Sequence, residues 1–203
     1  MILNVRSASD LHAQARIREA AIEVFGREGF DRATVRAIAA RAGVSAALVL
    51  HHYGSKDGLR QACDDAVMQF VRSEKMRLIT GGPQPQLADY LREHPEISPI
   101  TAYIASALRH DGPIAQAIFD RMCEITGELI EAGVRSGTMR DLPDREAVSA
   151  LLVAYAAGEV LFGEHIARRL GGATIVDPDV SPRYQASSTA IFTDGLLTSG
   201  ETQ

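Results

Sequence analysis

The chain has 203 residues, 46% of them hydrophobic and 23% charged, and a formal net charge of −5. This composition excludes a largely disordered chain, and alanines or charges interrupt every apolar run before the roughly 18 residues a membrane span needs. The N-terminal stretch lacks a signal-peptide core, and Cys63 and Cys123 stand far apart outside any CxxC pair, so a reducing cytoplasm is expected and neither a disulfide framework nor a zinc knuckle is indicated.

The first periodic segment is 13–28, where Ile17, Ala20, Ala21, Val24 and Phe25 share one helical face and charged residues take the other. Gly29 can end this helix, and Phe30 can fold back onto it. Thr34 is a suitable N-cap for a second helix, VRAIAARA, and Ser45 for a third, AALVLHH, with Ala42-Gly43-Val44 as the turn between them. Tyr53 and Gly54 close the third helix. Ser55 caps a fourth that runs from Lys56 to about Leu78. Gly81, Gly82, Pro83 and Pro85 then break the chain over 80–86.

A short amphipathic piece follows at 86–93, and HPEISP predicts a second break. ITAYIASALRH reads as one helix, ended by Asp111-Gly112. Pro113 opens a long helix on which Ile114, Ile118, Met122, Ile125, Leu129 and Ala132 recur every three or four residues. Asp144 caps another long helix, apolar on most sides over 148–162 and therefore expected to be largely buried. A loop at 171–180 leads to a last helix at roughly 182–197. No alternating strand pattern exceeds a few residues, so the class is all-α.

Three short helices with Gly43 in the last turn make a helix-turn-helix pattern, in which Ala39, Ala40 and Gly43 are expected to let the second and third helices cross closely. The charge agrees in sign. Residues 1–56 hold eight basic and five acidic groups, a basic head on an acidic remainder. On spacing alone, an arbitrary helical fragment with a glycine turn fits equally well.

The stretch Ile17–Leu59 resembles the DNA-binding domain of TetR-family transcriptional regulators. The resemblance runs through Phe25, Gly29-Phe30, Thr34-Val35-Arg36, Ile38-Ala39, Ala42-Gly43-Val44-Ser45, His52-Tyr53 and Ser55-Lys56-Asp57 to Leu59. It is specific as a whole and covers about a fifth of the chain. It implies a helix-turn-helix head, residues 1–58, joined by a linking helix to a larger effector-binding and dimerisation body, residues 59–203. The implied protein is a ligand-responsive homodimer on a palindromic or pseudo-palindromic operator, usually a repressor, with no cofactor, metal or membrane partner. One departure is Leu50, where the family usually has a tyrosine on the DNA backbone; a leucine there is expected to pack inward. The chain looks like a subset with a His-His-aromatic-Gly-Ser-Lys sequence at this point.

Phosphate contacts position a duplex and base contacts select it. Thr34 is placed for a phosphate, or serves only as a helix cap. Lys56 lies in the first turn of the fourth helix, unfavourable for a cation unless a phosphate is near. Ser45, Ala46, Ala47 and Leu48 offer a hydroxyl and methyl groups suited to thymine methyls. His51 and His52 form the polar end of the helix, His52 being equally a structural residue. Arg36 is the candidate for a longer-range base or phosphate contact, with Arg32 and Arg6 as backbone or minor-groove candidates.

In the body, the resemblance implies an effector cavity among Tyr103, Leu108, Phe119, Met122, Thr126, Tyr155, Glu159 and Phe162, although most are core formers in any helical protein. Glu159 stands in an otherwise apolar stretch. It points to a cationic effector, to an internal arginine such as Arg109 or Arg121, or to solvent. The dimer interface is implied on the last two helices, with Ala150, Leu151, Ala154, Gly158, Leu161, Phe192 and Leu196. An enzyme reading finds no GxSxG, GxGxxG, GxxxxGK or HExxH and no assembled nucleophile and base. A helical scaffold protein leaves the helix-turn-helix sequence unexplained.

Overall fold

The structure, a computed structural model, describes residues 8–80, 87–109 and 112–193. Arg6, the 81–86 linker, Asp111 and Leu196 lie outside the described residues. Within them the chain forms helices α1 (Ala8–Glu28), α2 (Val35–Ala42), α3 (Ala46–Tyr53), α4 (Lys56–Thr80), α5 (Leu87–Glu93), α6 (Ile97–Leu108), α7 (Pro113–Ser136), α8 (Arg145–Leu170) and α9 (Ser181–Thr193), with no strand among the described residues. The described residues fall into two compact units: 8–80 with 96–109 and 112–160, and 87–95 with 161–193.

In the first unit the expected apolar face of α1 is buried, and Ile17, Ala21, Val24 and Phe25 meet Ile38 and Val49 of the next two helices and Leu59, Cys63 and Val67 of α4 in one core. Gly29 takes φ 82° and its N–H returns to the Phe25 carbonyl at 2.9 Å, which ends α1 and lays the Phe30 ring 5.4 Å from that of Phe25. The body helices α6 and α7 continue this core through Tyr103, Ile104, Ile118, Met122, Ile125 and Leu129. Burial pushes the Cys63 thiol up to about 12, so it stays protonated and packs as a small apolar side chain.

Helix α1 makes its most extensive packing against α6, and the reason is Gly26. A Cβ there would lie 2.9 Å from the backbone nitrogen of Tyr103 and 3.1 Å from the carbonyl carbon of Ala102. The two backbones therefore touch. Beside this crossing, Tyr103 donates its hydroxyl to Asp64 Oδ1 at 2.5 Å, and Asp64 also accepts from Arg60, so a half-buried polar knot ties α6 to α4. Burial raises the Asp64 pKa, against the opposing pull of Tyr103 and Arg60, and drives the Tyr103 hydroxyl far above its usual range.

Three expectations are corrected. Helix α6 begins at Ile97, inside HPEISP, because Pro99 falls in its first turn, where the missing N–H would have no helical partner in any case. Gly43 is exposed and a Cβ there would meet nothing within 4 Å; it is needed for its φ of 65°, not for close helix crossing. Helix α8 is not largely buried: Val153 and Ala157 face the core, whereas Leu151 is 70% exposed and Phe162 57%. It also holds an 18-residue stretch of mean hydropathy 1.4, long and apolar enough to cross a membrane, because its alanines lengthen the run of leucines and valines.

The second unit is organised by Asp177, whose carboxylate accepts the N–H groups of Ala173 and Thr174 and the Thr174 hydroxyl. These bonds hold its pKa below the usual range. Val180 is buried, and Arg183 reaches the Leu170 carbonyl at 2.8 Å. Helix α9 leaves Ile191 and Phe192 exposed.

Gly26→Ala should lower stability, because the methyl meets backbone and can be relieved only by separating α1 from α6. The cost of overpacking, about 1–3 kcal/mol, outweighs the ~1 kcal/mol gained by removing a helical glycine. A thermal melt should fall by several degrees. The folded chain holds the Asp64 proton more tightly than the unfolded chain. Stability should therefore fall as pH rises from the ordinary carboxylate range through the raised pKa, and Asp64→Asn should flatten that part of a denaturant-midpoint profile.

Candidate nucleic-acid interface

Local chemistry alone shapes the head. The Thr34 hydroxyl accepts the Ala37 N–H at 3.1 Å and starts α2; the Ser45 hydroxyl accepts the Leu48 N–H at 3.1 Å and starts α3. Gly54, at φ 74°, closes α3 through its N–H to the Leu50 carbonyl. Gly58 has no room for a side chain, since a Cβ would stand 2.3 Å from the Tyr53 carbonyl oxygen, and this packs the start of α4 under the end of α3. Gly58 and Gly26 carry no turn signal in the sequence, because both lie inside helices.

The candidate contacts differ in exposure. Thr34, Arg36, Ser45, Ala47 and His51 are exposed, and Ala46 and Leu48 are half-buried. Val49 is fully buried and anchors α3 to the core. The N-termini of α2 and α3 add backbone N–H groups to the same chemistry. Arg32 is exposed, with its Nε donating to the Glu28 carbonyl at 2.8 Å. Arg41 is paired with Glu23 at 2.5 Å and is thereby held toward α1.

Lys56 has local partners that the sequence did not reveal. Its Nζ donates to the Asp31 carbonyl at 3.3 Å and sits 4.4 Å from the centre of the Phe30 ring. These contacts explain a cation at the start of a helix without any phosphate, and they also fix the ammonium beside the α1–α2 turn.

Two expectations change. His52 does not reach the duplex side: its side chain is 3% exposed and lies between Gln14 and Asp10 of α1, with Nδ1 3.4 Å from Gln14 Nε2 and Nε2 3.4 Å from Asp10. The neighbouring Tyr53 donates to the Gln14 carbonyl at 2.8 Å, so the pair ties α3 to α1. Leu50 does not pack inward but is 44% exposed, because Val49 already occupies the core position on this short helix.

The residues expected around an effector scatter. Tyr103 and Met122 are buried in the core; Leu108, Phe119 and Thr126 are half-buried. Tyr155 and Phe162 lie on the open face of α8 with Leu151, Ala154 and Gly158, whereas Ala150 and Leu161 are half-buried on its flank. Glu159 is half-buried, and Lys75 of α4 lies in its electrostatic field. Burial lowers the Lys75 pKa, and Glu159 opposes that shift. Arg121 is engaged by Glu124 at 2.7 Å on the surface, and Arg109 lines a cleft elsewhere.

A pair of short capped helices joined by a left-handed glycine turn in an all-helical chain is the arrangement of a helix-turn-helix DNA-binding protein. Residues 17–63 match the family model of bacterial regulatory proteins of the tetR family, and residues 95–198 match that of the tetracyclin repressor-like C-terminal domain. The chain belongs to the TetR family and is a ligand-responsive DNA-binding transcriptional regulator. It is 37% identical, over 95% of its length and 90% of the relative's, to the helix-turn-helix-type transcriptional regulatory protein RaaS of Mycobacterium tuberculosis. Its fold is shared with the transcriptional regulator FadR of Bacillus subtilis, solved in complex with stearoyl-CoA, at a TM-score of 0.62 and 15% identity over 90% of this chain and 99% of that one. SmeT, the repressor of the Stenotrophomonas maltophilia multidrug efflux pump SmeDEF, gives 0.58 and 21% over 94% and 95%. The matched proteins are transcriptional regulators, not enzymes.

Thr34→Ala and Lys56→Ala should each weaken binding to all DNA sequences alike, and Lys56→Ala should reduce the salt slope by about one. Ala47→Gly or Leu48→Ala should instead alter the preferred sequence, costing about 1–3 kcal/mol at the matched base pair. Selection of bound DNA from a random pool checks both. An unchanged consensus for the second pair would show that α3 is not read through its methyl groups.

Proposed function

We propose that the chain is a cytoplasmic repressor that acts as a two-fold homodimer. Each α3 enters a major groove of a palindromic or pseudo-palindromic operator, and a small effector bound in the body releases the complex. Within the family we place it in the subset whose recognition helix ends in His51-His52-Tyr53-Gly54-Ser55-Lys56. The functional division is a DNA-binding head, residues 1–58, and an effector and dimerisation body, residues 59–203.

The observation that carries this reading is the open face of α8. Leu151, Ala154, Tyr155, Gly158 and Phe162 recur at three- and four-residue spacing on the side of the helix opposite Val153 and Ala157. A long apolar stripe of this kind is normally covered, and small residues within it permit close helix approach. We assign it to the partner subunit, with Ala150 and Leu161 at its margin. Two-fold symmetry then matches the symmetry of the operator, with recognition helices spaced by about 34 Å, one turn of DNA.

For the effector we propose a small, mostly apolar molecule among Leu108, Phe119, Met122 and Thr126.

Light scattering at micromolar concentration should give about twice 21.9 kDa. Gly158→Leu is the discriminating variant. A Cβ at Gly158 meets nothing within 4 Å inside the chain, so the fold should tolerate the side chain while the dimer weakens and operator affinity falls with it. A monomeric wild type, or a dimer indifferent to this substitution, would overturn the assignment of α8.

A further inference from the structure

Helix α3 carries little that can read a base edge through hydrogen bonds. Its eight residues, AALVLHHY, include no arginine, lysine, carboxylate or amide side chain. Those are the groups that make the strong polar contacts to guanine, cytosine and adenine in the major groove. Most of the polar groups it does have are engaged inside the chain. The Ser45 hydroxyl at its cap accepts the Leu48 N–H at 3.1 Å, His52 lies between Gln14 and Asp10, and the Tyr53 hydroxyl donates to the Gln14 carbonyl at 2.8 Å. The exposed His51 is the remaining polar side chain of the helix.

What α3 turns outward is mainly apolar. Ala47 is exposed, and the exposed Leu50 and His51 follow it by three and four residues, the spacing that puts side chains on one helical face. Val49 is buried on the other side. Leu50 is 44% exposed, the large hydrophobic side chain left open on α2 and α3. It extends further from the helix than the Ala47 methyl and offers no hydrogen bond. The apolar feature of a base pair in the major groove is the methyl group on C5 of thymine. 5-Methylcytosine carries the same methyl at the same ring position.

We propose that Leu50 is a specificity-determining residue that reads the C5-methyl group of a pyrimidine, thymine or 5-methylcytosine, in each half of the operator. The assignment rests on α3 entering the major groove, as proposed above. Contact between the isobutyl group and the methyl removes apolar surface of both from water, and that gain is lost when the methyl is missing. Leu50 therefore favours T·A over C·G and over a uracil pair. Ala47, one helical turn earlier, takes a second methyl. A turn advances about 5.4 Å, between one and two base steps of about 3.4 Å, so the two methylated pyrimidines stand one or two steps apart. Methylation of a cytosine at the Leu50 position then raises operator affinity, and the helix responds to a covalent mark on the DNA.

The test uses the full-length protein and the duplex it selects from a random pool. Replacing each thymine in turn by deoxyuridine removes only the methyl. At one thymine of each half-site this should weaken binding about fourfold, the worth of one buried methyl group. Leu50→Ala should bind the thymine and uracil duplexes equally well at that position, while the uracil penalty opposite Ala47 persists. Leu50→Met keeps an apolar reader and should retain the difference. Neither variant removes a charge, so the salt slope should stay that of the wild type. With cytosine placed at that position, 5-methylation should strengthen wild-type binding by about the same fourfold and leave Leu50→Ala unaffected. Loss of affinity in Leu50→Ala with the thymine-to-uracil ratio unchanged would overturn the assignment. Uracil penalties that respond only to Ala47→Gly or Leu48→Ala would overturn it while keeping α3 in the groove. A change of oligomeric state in Leu50→Ala, seen by light scattering with the uracil ratio intact, would overturn it in favour of a protein contact. Failure to select any sequence would overturn the operator reading together with it.

Discussion

The contact on which the rest depends is the crossing of α1 over α6 at Gly26. The helix-turn-helix head is too small to bury much surface by itself, and α1 solves this by sharing one core with the body. Its Ile17, Ala21 and Val24 face α2 and α3, while the Gly26 backbone rests on Ala102 and Tyr103. The absence of a side chain brings the two helices into backbone contact, and the half-buried knot of Arg60, Asp64 and Tyr103 locks α4 to the same place. A fully satisfied polar cluster in such a position costs desolvation but specifies one arrangement. Head and body thus share one core across this seam.

The same seam accounts for the side chains that leave the DNA surface. His52 and Tyr53 turn toward Gln14 and Asp10 because α3 needs a polar tether to α1 at the end where Val49 no longer reaches the core. Lys56 is held by the Asp31 carbonyl and the Phe30 ring, so the turn that carries Thr34 is braced from behind. The residues left facing outward, Thr34, Arg36, Ser45, Ala47 and His51, are those with no role in the seam. Reader and scaffold alternate along one short helix because consecutive residues of a helix point in different directions.

Helix α8 shows how far apolarity and burial can separate. Its stripe is apolar enough to suggest a core helix, yet a single chain buries only the side bearing Val153 and Ala157. A subunit that must dimerise carries half of a core on its outside. From the sequence, such a helix looks the same as one buried within the chain, since hydropathy records what a residue avoids and not which molecule covers it.

The sequence by itself determined the helices, their caps and the head. Thr34, Ser45, Gly29, Gly43 and Gly54 act through hydrogen bonds and dihedrals that span only a few residues, and the apolar spacing of α1 names its own buried face. Tertiary structure alone decided the rest. Gly26 and Gly58 matter because of backbones that approach from elsewhere. Glu159 acts electrostatically on Lys75 from 84 positions away. His52 is buried and Leu50 exposed because Val49 takes the core position on their helix. Interactions closed within one helical turn are written in neighbouring letters; those made between helices depend on which faces meet, and that is settled only when the whole core packs.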